Sequence, residues 1–368
     1  MADLTPLLAD IINGRGVDMR LVAALDVNTF LDAAAEHDVV PLVAERLLRL
    51  PDLPASLAAR LREQASAAAV VDLVREAEVR RFFDAMAKVG VGALLVKGSH
   101  LAYTHYDRPD LRARVDTDVL IARTDRDVVH RVLTEELGYA ASDRVSNDLT
   151  APQRMYTTRT PLAGHAFDVH WQLTSPRVFA AMPSFEELIA RSVSVPQLGP
   201  AARVPSPGDA LLIACVHRIA HHLDARDLKW LYDIHLVGSC FTETQWTAFA
   251  RLAAEKQVVS VCRRSLETAA QWFQTDVPAR LWSDPHLAAQ ALTEPSAGYL
   301  TPQPLAHRVL ADARTLSWAD RMRLMRDHLF PSAVYMRQVY APSSRLPLPL
   351  LYARRIVRGM WGWFRLRT

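Results

Sequence analysis

Apolar residues recur at helical spacing over much of the chain, and that recurrence sets its organisation. From Leu57 to Lys88, the residues Leu61, Ala65, Ala68, Val71, Val74, Val79, Phe82, Phe83 and Met86 fall at helical intervals with arginine and glutamate between them. Such a stripe predicts a helix packed against a core. All of 1–88 reads as helical, until Gly90 and Gly92 break the pattern and Ala93-Leu94-Leu95-Val96 begins a buried strand. A short helix over Ser99–Tyr106, a loop over 107–113 with Pro109, and a strand over Val115–Ile121 follow. Thr124–Leu137 reads as a helix that Thr124 or Asp125 caps and Gly138 ends. Met155–Thr158 and His165–Trp171 read as a strand pair about a turn at Pro161–Gly164. Four prolines between Ser194 and Pro207 mark a linker, and Ser206 with Pro207 opens a helix over about 208–222. Further helices are expected at 227–238, 243–256 and 258–274, the second opened by the capping-box run Thr242-Glu-Thr-Gln245. The expected fold is α+β: a small mixed sheet forming an α/β core, with N-terminal helices and a C-terminal helical domain. The expected divisions are 1–88 (helical), 89–200 (core), 201–304 (helical) and 305–368 (a helical, basic tail).

The strands carry the candidate chemistry. Alternation along a strand puts Asp116 and Asp118 on one face and Val115, Thr117 and Val119 on the other. Asp168 stands between Phe167 and Val169 in the same arrangement. Carboxylates sharing a face repel unless a cation lies among them, and hard oxygen donors suit Mg²⁺ or Mn²⁺. Lys97, Gly98 and Ser99 stand where a strand gives way to a helix, whose N-terminus offers unpaired N–H groups to a phosphate. Gly98 lets backbone approach phosphate and Ser99 offers a hydroxyl; Lys97 is either a phosphate contact or a surface charge. Arg112 either binds phosphate bidentately or pairs with an acid such as Asp110. His170 shares the face of Asp168 and so points towards a nucleotide or an acceptor, while Trp171 points into the core. His217 and His221 share a helix face with His222 beside them. Their spacing can bind zinc, but residue 218 is Arg, so the metalloprotease pattern fails. The favoured reading is a polar cluster on the acceptor side of the cleft, completed by Lys229 and Asp233 of the next helix.

The ordered set Leu95-Val96-Lys97-Gly98, Tyr106, Arg112, Asp116-Thr117-Asp118-Val119-Leu120, Phe167-Asp168-Val169-His170-Trp171 and Lys229-Trp230-Leu231-Tyr232-Asp233 resembles the uncharacterised bacterial nucleotidyltransferase family of the DNA-polymerase-β-like superfamily. The resemblance covers roughly residues 80–275. It implies a nucleotidyltransferase of the EC 2.7.7 kind, moving a nucleoside monophosphate from an NTP to a small-molecule or protein acceptor and releasing pyrophosphate. It further implies that Asp116 and Asp118 bridge two metals, that Asp168 holds the catalytic metal and helps take the acceptor's proton, and that Lys97, Gly98, Ser99 and Arg112 bind nucleotide. Thr117 departs from the usual large aliphatic residue and is expected to weaken packing; the spacing from Gly98-Ser99 to Asp116 is long for the superfamily. A noncatalytic nucleotide-binding or scaffold protein on the same fold, and a protein-modifying toxin or antitoxin, are the alternatives.

Composition adds limits. Half of the 368 residues are apolar and 23% are charged, which gives a folded protein large enough for two domains. Cys215, Cys240 and Cys262 lack metal-ligand spacing, no basic leader opens the chain, and no apolar run reaches spanning length. A reducing cytoplasm is the expected compartment. The net charge of +3 hides an asymmetry: after Asp327 there is no acid, and seven arginines (Arg337, Arg345, Arg354, Arg355, Arg358, Arg365 and Arg367) follow. Without those seven, 36 basic residues face 40 acidic ones. The acidic body argues against a nucleic-acid partner. The tail, mixing arginine with Tyr352, Trp361, Trp363 and Phe364, either lies on a membrane surface, which would put the protein peripherally at the inner membrane face, or is a helix packed on the body or a disordered basic end.

Overall fold

The computed structural model describes residues 3–142, 151–158, 164–301, 305–314, 316–330, 333, 336–337 and 346–363. Four short helices open the chain: α1 (Thr5–Ile12), α2 (Met19–Ala24), α3 (Val27–Glu36) and α4 (Val40–Leu47). The long α5 (Ala55–Lys88) follows, and Gly90, at φ +71°, turns the backbone into β1 (Ala93–Leu95). The core continues through α6 (Lys97–Thr104), β2 (Thr117–Ile121), α7 (Arg126–Arg131), β3 (Tyr139–Ala141), β4 (Gln153–Thr158), β5 (Ala166–His170) and α8 (Phe185–Arg191). A small hairpin, β6 (Val193–Ser194) with β7 (Arg203–Val204), leads to α9 (Pro207–His222). After α9 come α10 (Leu228–Ser239), α11 (Glu243–Glu255), α12 (Val259–Phe273), α13 (Pro285–Thr293), α14 (Leu305–Arg314), α15 (Trp318–Leu329) and α16 (Leu348–Trp363).

The sheet is mixed, with strand order β1-β2-β5-β4-β3. Among the described strands only β2 and β5 are parallel, and their register sets Asp118 opposite Asp168. Its two faces are covered differently. Leu95, Val119, Ile121, Phe167 and Val169 pack with Val79, Phe82, Phe83 and Met86 of α5 and with Val129 of α7. Leu94, Val96 and Leu120 turn the other way and join one core with α1–α4 and α9–α12. Asp118 and His170 alternate with the first set, so they look towards the helical side.

Several local expectations are revised. β2 begins at Thr117 rather than Val115, leaving Asp116 just before the strand. The stretch 123–137 is three pieces, a 3₁₀ turn, α7 and a π-helical turn over Val132–Glu136, and Asp125 precedes α7 without a side-chain cap. The proline-rich segment is no linker: Val195, Leu198, Ala202 and Val204 are buried against the sheet. The apolar stripe of α5 is interrupted in its middle, where Val70 and Val71 are exposed with Leu73, and the helix packs there through the buried Asp72 and Arg75 instead. Residues 161–163 of the expected turn, and Arg345, Arg365 and Arg367 of the tail, lie outside the described residues. Ser206 and the capping box at Thr242 and Gln245 open their helices as expected.

Candidate active site

The parallel pairing of β2 with β5 makes the site. It brings Asp118 and Asp168 side by side at the floor of a cleft of about 330 Å³, with Asp116 at the strand's threshold. His170, two residues beyond Asp168 on the same face, sets its Nε2 2.9 Å from Asp118 Oδ1 and 3.2 Å from Asp168 Oδ2. One donor atom each from Asp118, Asp168 and His170 lies within 4.8 Å of the others, a group able to hold a metal ion. Lys97 Nζ donates to Asp118 Oδ1 at 2.7 Å and lies 3.0 Å from His170 Nε2. Gln153, from the neighbouring β4, donates to Asp168 Oδ2 at 2.7 Å, while Asp168 Oδ1 is buried with no hydrogen-bond partner.

Electrostatics follow from this crowding. Burial, then repulsion from Asp118 and Asp168, pushes the Asp116 carboxyl up to about 6. Burial alone would raise Asp118 as well, but Lys97 and His170 outweigh it and hold Asp118 far below the usual carboxylate range. In His170 burial and Lys97 favour the neutral ring, yet the bonds to Asp118 and Asp168 prevail and raise it.

The entry to α6 is built differently from a simple phosphate loop. Lys97 adopts φ +53°, a left-handed conformation that aims its side chain back over β2. The Ser99 hydroxyl is buried and accepts from the Asp118 N–H at 3.0 Å, tying α6 to the acidic strand. Gly98 makes room for an arginine: a Cβ there would stand 2.5 Å from an Arg112 nitrogen. Arg112 pairs with neither Asp110 nor open space. Its Nε and Nη2 donate to the two oxygens of Asp233 at 2.8 and 2.7 Å, and Tyr106 donates to Asp233 Oδ1 at 2.8 Å. All of these groups are buried, so Asp233 is spent on tying α10 to the core. Asp110 instead takes Arg108.

The helical wall of the cleft comes from α9 and α10. His217, His221 and His222 line it with Lys229 and Trp230. His222 stacks on Trp230 at a centroid distance of 3.6 Å and meets His217 Nε2 at 3.1 Å. Lys229 reaches Asp38, at the end of α3. Burial holds all three imidazoles neutral, His221 down to about 3 and His222 to about 4. His217 Nδ1 and His221 Nε2 are buried with no hydrogen-bond partner. No group of three metal-binding side chains is found at these histidines among the described residues.

Sequence reasoning missed Gln153, His100 and Arg114. Gln153 is a neighbour of the site only through the β4–β5 register, which sets it opposite His170. His100 is fully buried beneath the cleft, and its surroundings hold it neutral at about 3, burial being the main cause. Arg114 lines the cleft with its guanidinium held by Asp72 and over the Tyr103 ring. Trp171 is buried as expected, against Arg126.

A search of curated proteins finds no match to this sequence. A family model described as "uncharacterised nucleotidyltransferase" matches residues 23–274, from α2 to the end of α12, and so takes in both the carboxylate strands and the helical wall. With two thirds of its length matched and the acids paired on adjacent strands, the chain belongs to the uncharacterised nucleotidyltransferase family.

Proposed function

We propose that the protein transfers a nucleoside monophosphate from an NTP to an acceptor hydroxyl, with Mg²⁺ or Mn²⁺ as its resident cation. The observation that carries this reading is the pairing of Asp118 with Asp168 across β2 and β5, with Asp116 beside them, at the floor of a cleft. The donor set suits a hard divalent cation, since the carboxylates repel one another and Asp168 Oδ1 is buried and unpartnered. Asp116, Asp118 and Asp168 would hold the cation, with His170 at their edge. When bound, such a cation neutralises charge on the phosphates and makes the acceptor hydroxyl easier to ionise.

The chain's own groups do the rest. Lys97 and Lys229 line the cleft beside their carboxylate partners Asp118 and Asp38, where their ammonium groups can turn to phosphate oxygens. The acceptor oxygen forms a bond to the α-phosphorus as the bond from that phosphorus to the α–β bridging oxygen breaks. Pyrophosphate leaves with that oxygen, and the acceptor's proton passes to Asp168 Oδ1. His217 and His221 face the acceptor side, where their neutral rings accept hydrogen bonds from it. Arg112 and Asp233 act by position, holding α10 against the core.

The test is thermal shift with each of the four NTPs, with and without Mg²⁺, followed by a pyrophosphate-release assay against candidate acceptors. One NTP should stabilise the protein only with metal, and Asp116→Asn should abolish the effect. Unchanged metal-dependent binding and turnover in Asp118→Ala would sink the proposal. Absence of any shift would favour a noncatalytic scaffold.

A further inference from the structure

Beyond residue 274, outside the family match, the chain changes character. Residues 305–368 contain twelve arginines, no lysine and three aspartates, whereas the rest holds 31 basic residues against 37 acidic ones. The helices there expose large apolar side chains. Trp318, Met322 and Met325 recur at four and three residues along α15, which puts them on one face, and all are exposed, Trp318 by 75%. Phe330, at the end of α15, is exposed too and meets Tyr352 of α16 at 5.7 Å. In α16, Leu351 is buried against a small cluster with Met336, but Ile356 and Val357 are exposed, Val357 by 62%. At 100° per residue, Ile356 and Val357 fall on one side of α16 and Arg354 and Arg355 on the other. No helix is long and apolar enough to cross a membrane among the described residues.

We infer that α15 and α16 form a surface that seats the protein on an anionic lipid bilayer. The inference is independent of the nucleotidyl-transfer reading. Two chemistries converge on that partner. Arginine forks bind phosphate oxygens, and so many arginines with so few acids are attracted to a negative surface. The apolar ridges need a medium that takes them out of water, and tryptophan belongs at the boundary between headgroup and acyl chain. A nucleic-acid backbone would satisfy the arginines but leave Met322, Met325, Ile356 and Val357 in water. The bilayer satisfies both. The protein lies on the membrane plane, since neither helix can span it.

Flotation of the full chain with vesicles tests this, using phosphatidylcholine alone and phosphatidylcholine mixed with phosphatidylglycerol. The protein should float with the mixed vesicles, not with the neutral ones, and less at high salt. The substitution Arg354→Gln should lower partitioning about fivefold. The exposed pair Ile356→Asp and Val357→Asp should abolish flotation while the melting temperature and the response to nucleotide stay those of the parent protein. Failure to float with anionic vesicles, equal flotation with neutral ones, or an Ile356→Asp/Val357→Asp variant that floats normally overturns the inference. So does tight binding to duplex DNA or RNA that the same apolar substitutions leave unchanged, which would make the surface one for nucleic acid.

Discussion

At the scale of single residues, two roles meet in the same few ångströms, and substitutions separate them. Gln153 donates to Asp168 from the neighbouring strand, so it orients a carboxylate without reacting. Gln153→Leu should weaken Mn²⁺ affinity about 10- to 100-fold while leaving stability nearly unchanged; a Mn²⁺ titration that matches the parent protein would rule this role out. Asp233 is the opposite case. Its removal leaves the Arg112 guanidinium buried and unpaired, so Asp233→Ala should destabilise the fold by about 3–5 kcal/mol in chemical denaturation. The double substitution Arg112→Met with Asp233→Leu should recover most of that loss. Gly98→Ala disturbs the same pair from a third side, since its methyl group would meet the Arg112 nitrogen. A loss of about 1–3 kcal/mol is expected, the range for overpacking. The motif residues were legible in the sequence, but several of their tasks were not. Gly98, Tyr106, Arg112 and Asp233 stand 135 positions apart at the extremes, and only the fold reveals that one buried ion pair accounts for them.

At the scale of elements, Thr117 shows why pattern reading runs out. The residue faces the core, where an aliphatic side chain was expected, yet it is not poorly packed. Its hydroxyl lies 2.8 Å from His165 Nε2, and His165 Nδ1 lies 2.8 Å from the Tyr139 oxygen, which donates to Glu78 of α5 at 2.8 Å. With one proton on Nδ1 every group in the chain is satisfied, so β2, β3 and α5 are joined through a neutral imidazole. Burial accordingly holds His165 down to about 3, with Arg75 and Arg114 adding to it. The sign of the linkage follows. The unfolded chain takes up this proton near pH 6.5 and the folded one only near 3, so the stabilisation is complete above about 6.5 and is lost as pH falls. Across that window His165 should contribute a slope of about 1.4 kcal/mol per pH unit. His100, His221 and His222 act in the same sense, so the share of His165 is a difference. Urea midpoints followed against pH should fall less steeply in His165→Gln than in the parent protein; parallel curves would exclude the chain. Two helix starts, by contrast, were readable because a cap is local: Ser206 and the Thr242–Gln245 box need only their own turn, whereas the cap expected at Thr124 or Asp125 is not made.

At the scale of the whole molecule, the sheet order and the shared core of α1–α4 with α9–α12 were out of reach of local patterns. They rest on contacts such as Asn13 to the Phe273 carbonyl and Arg15 to the Trp272 carbonyl, some 260 positions apart along the chain. The mixed α+β class was legible because helical and strand periods are distinct. The same long-range tethers have a kinetic meaning. The sheet side and the helical wall of the cleft are joined in the absence of any substrate, by Asp233 to Arg112 and Tyr106. Opening the cleft would have to break a buried ion pair, so no wide swing of the helical side gates entry. Nucleotide association should then behave as a single diffusive encounter. In stopped-flow mixing, its observed rate should climb in proportion to NTP concentration without levelling off. A plateau would instead time a rearrangement, and the walls would have to be looser than their bonds imply.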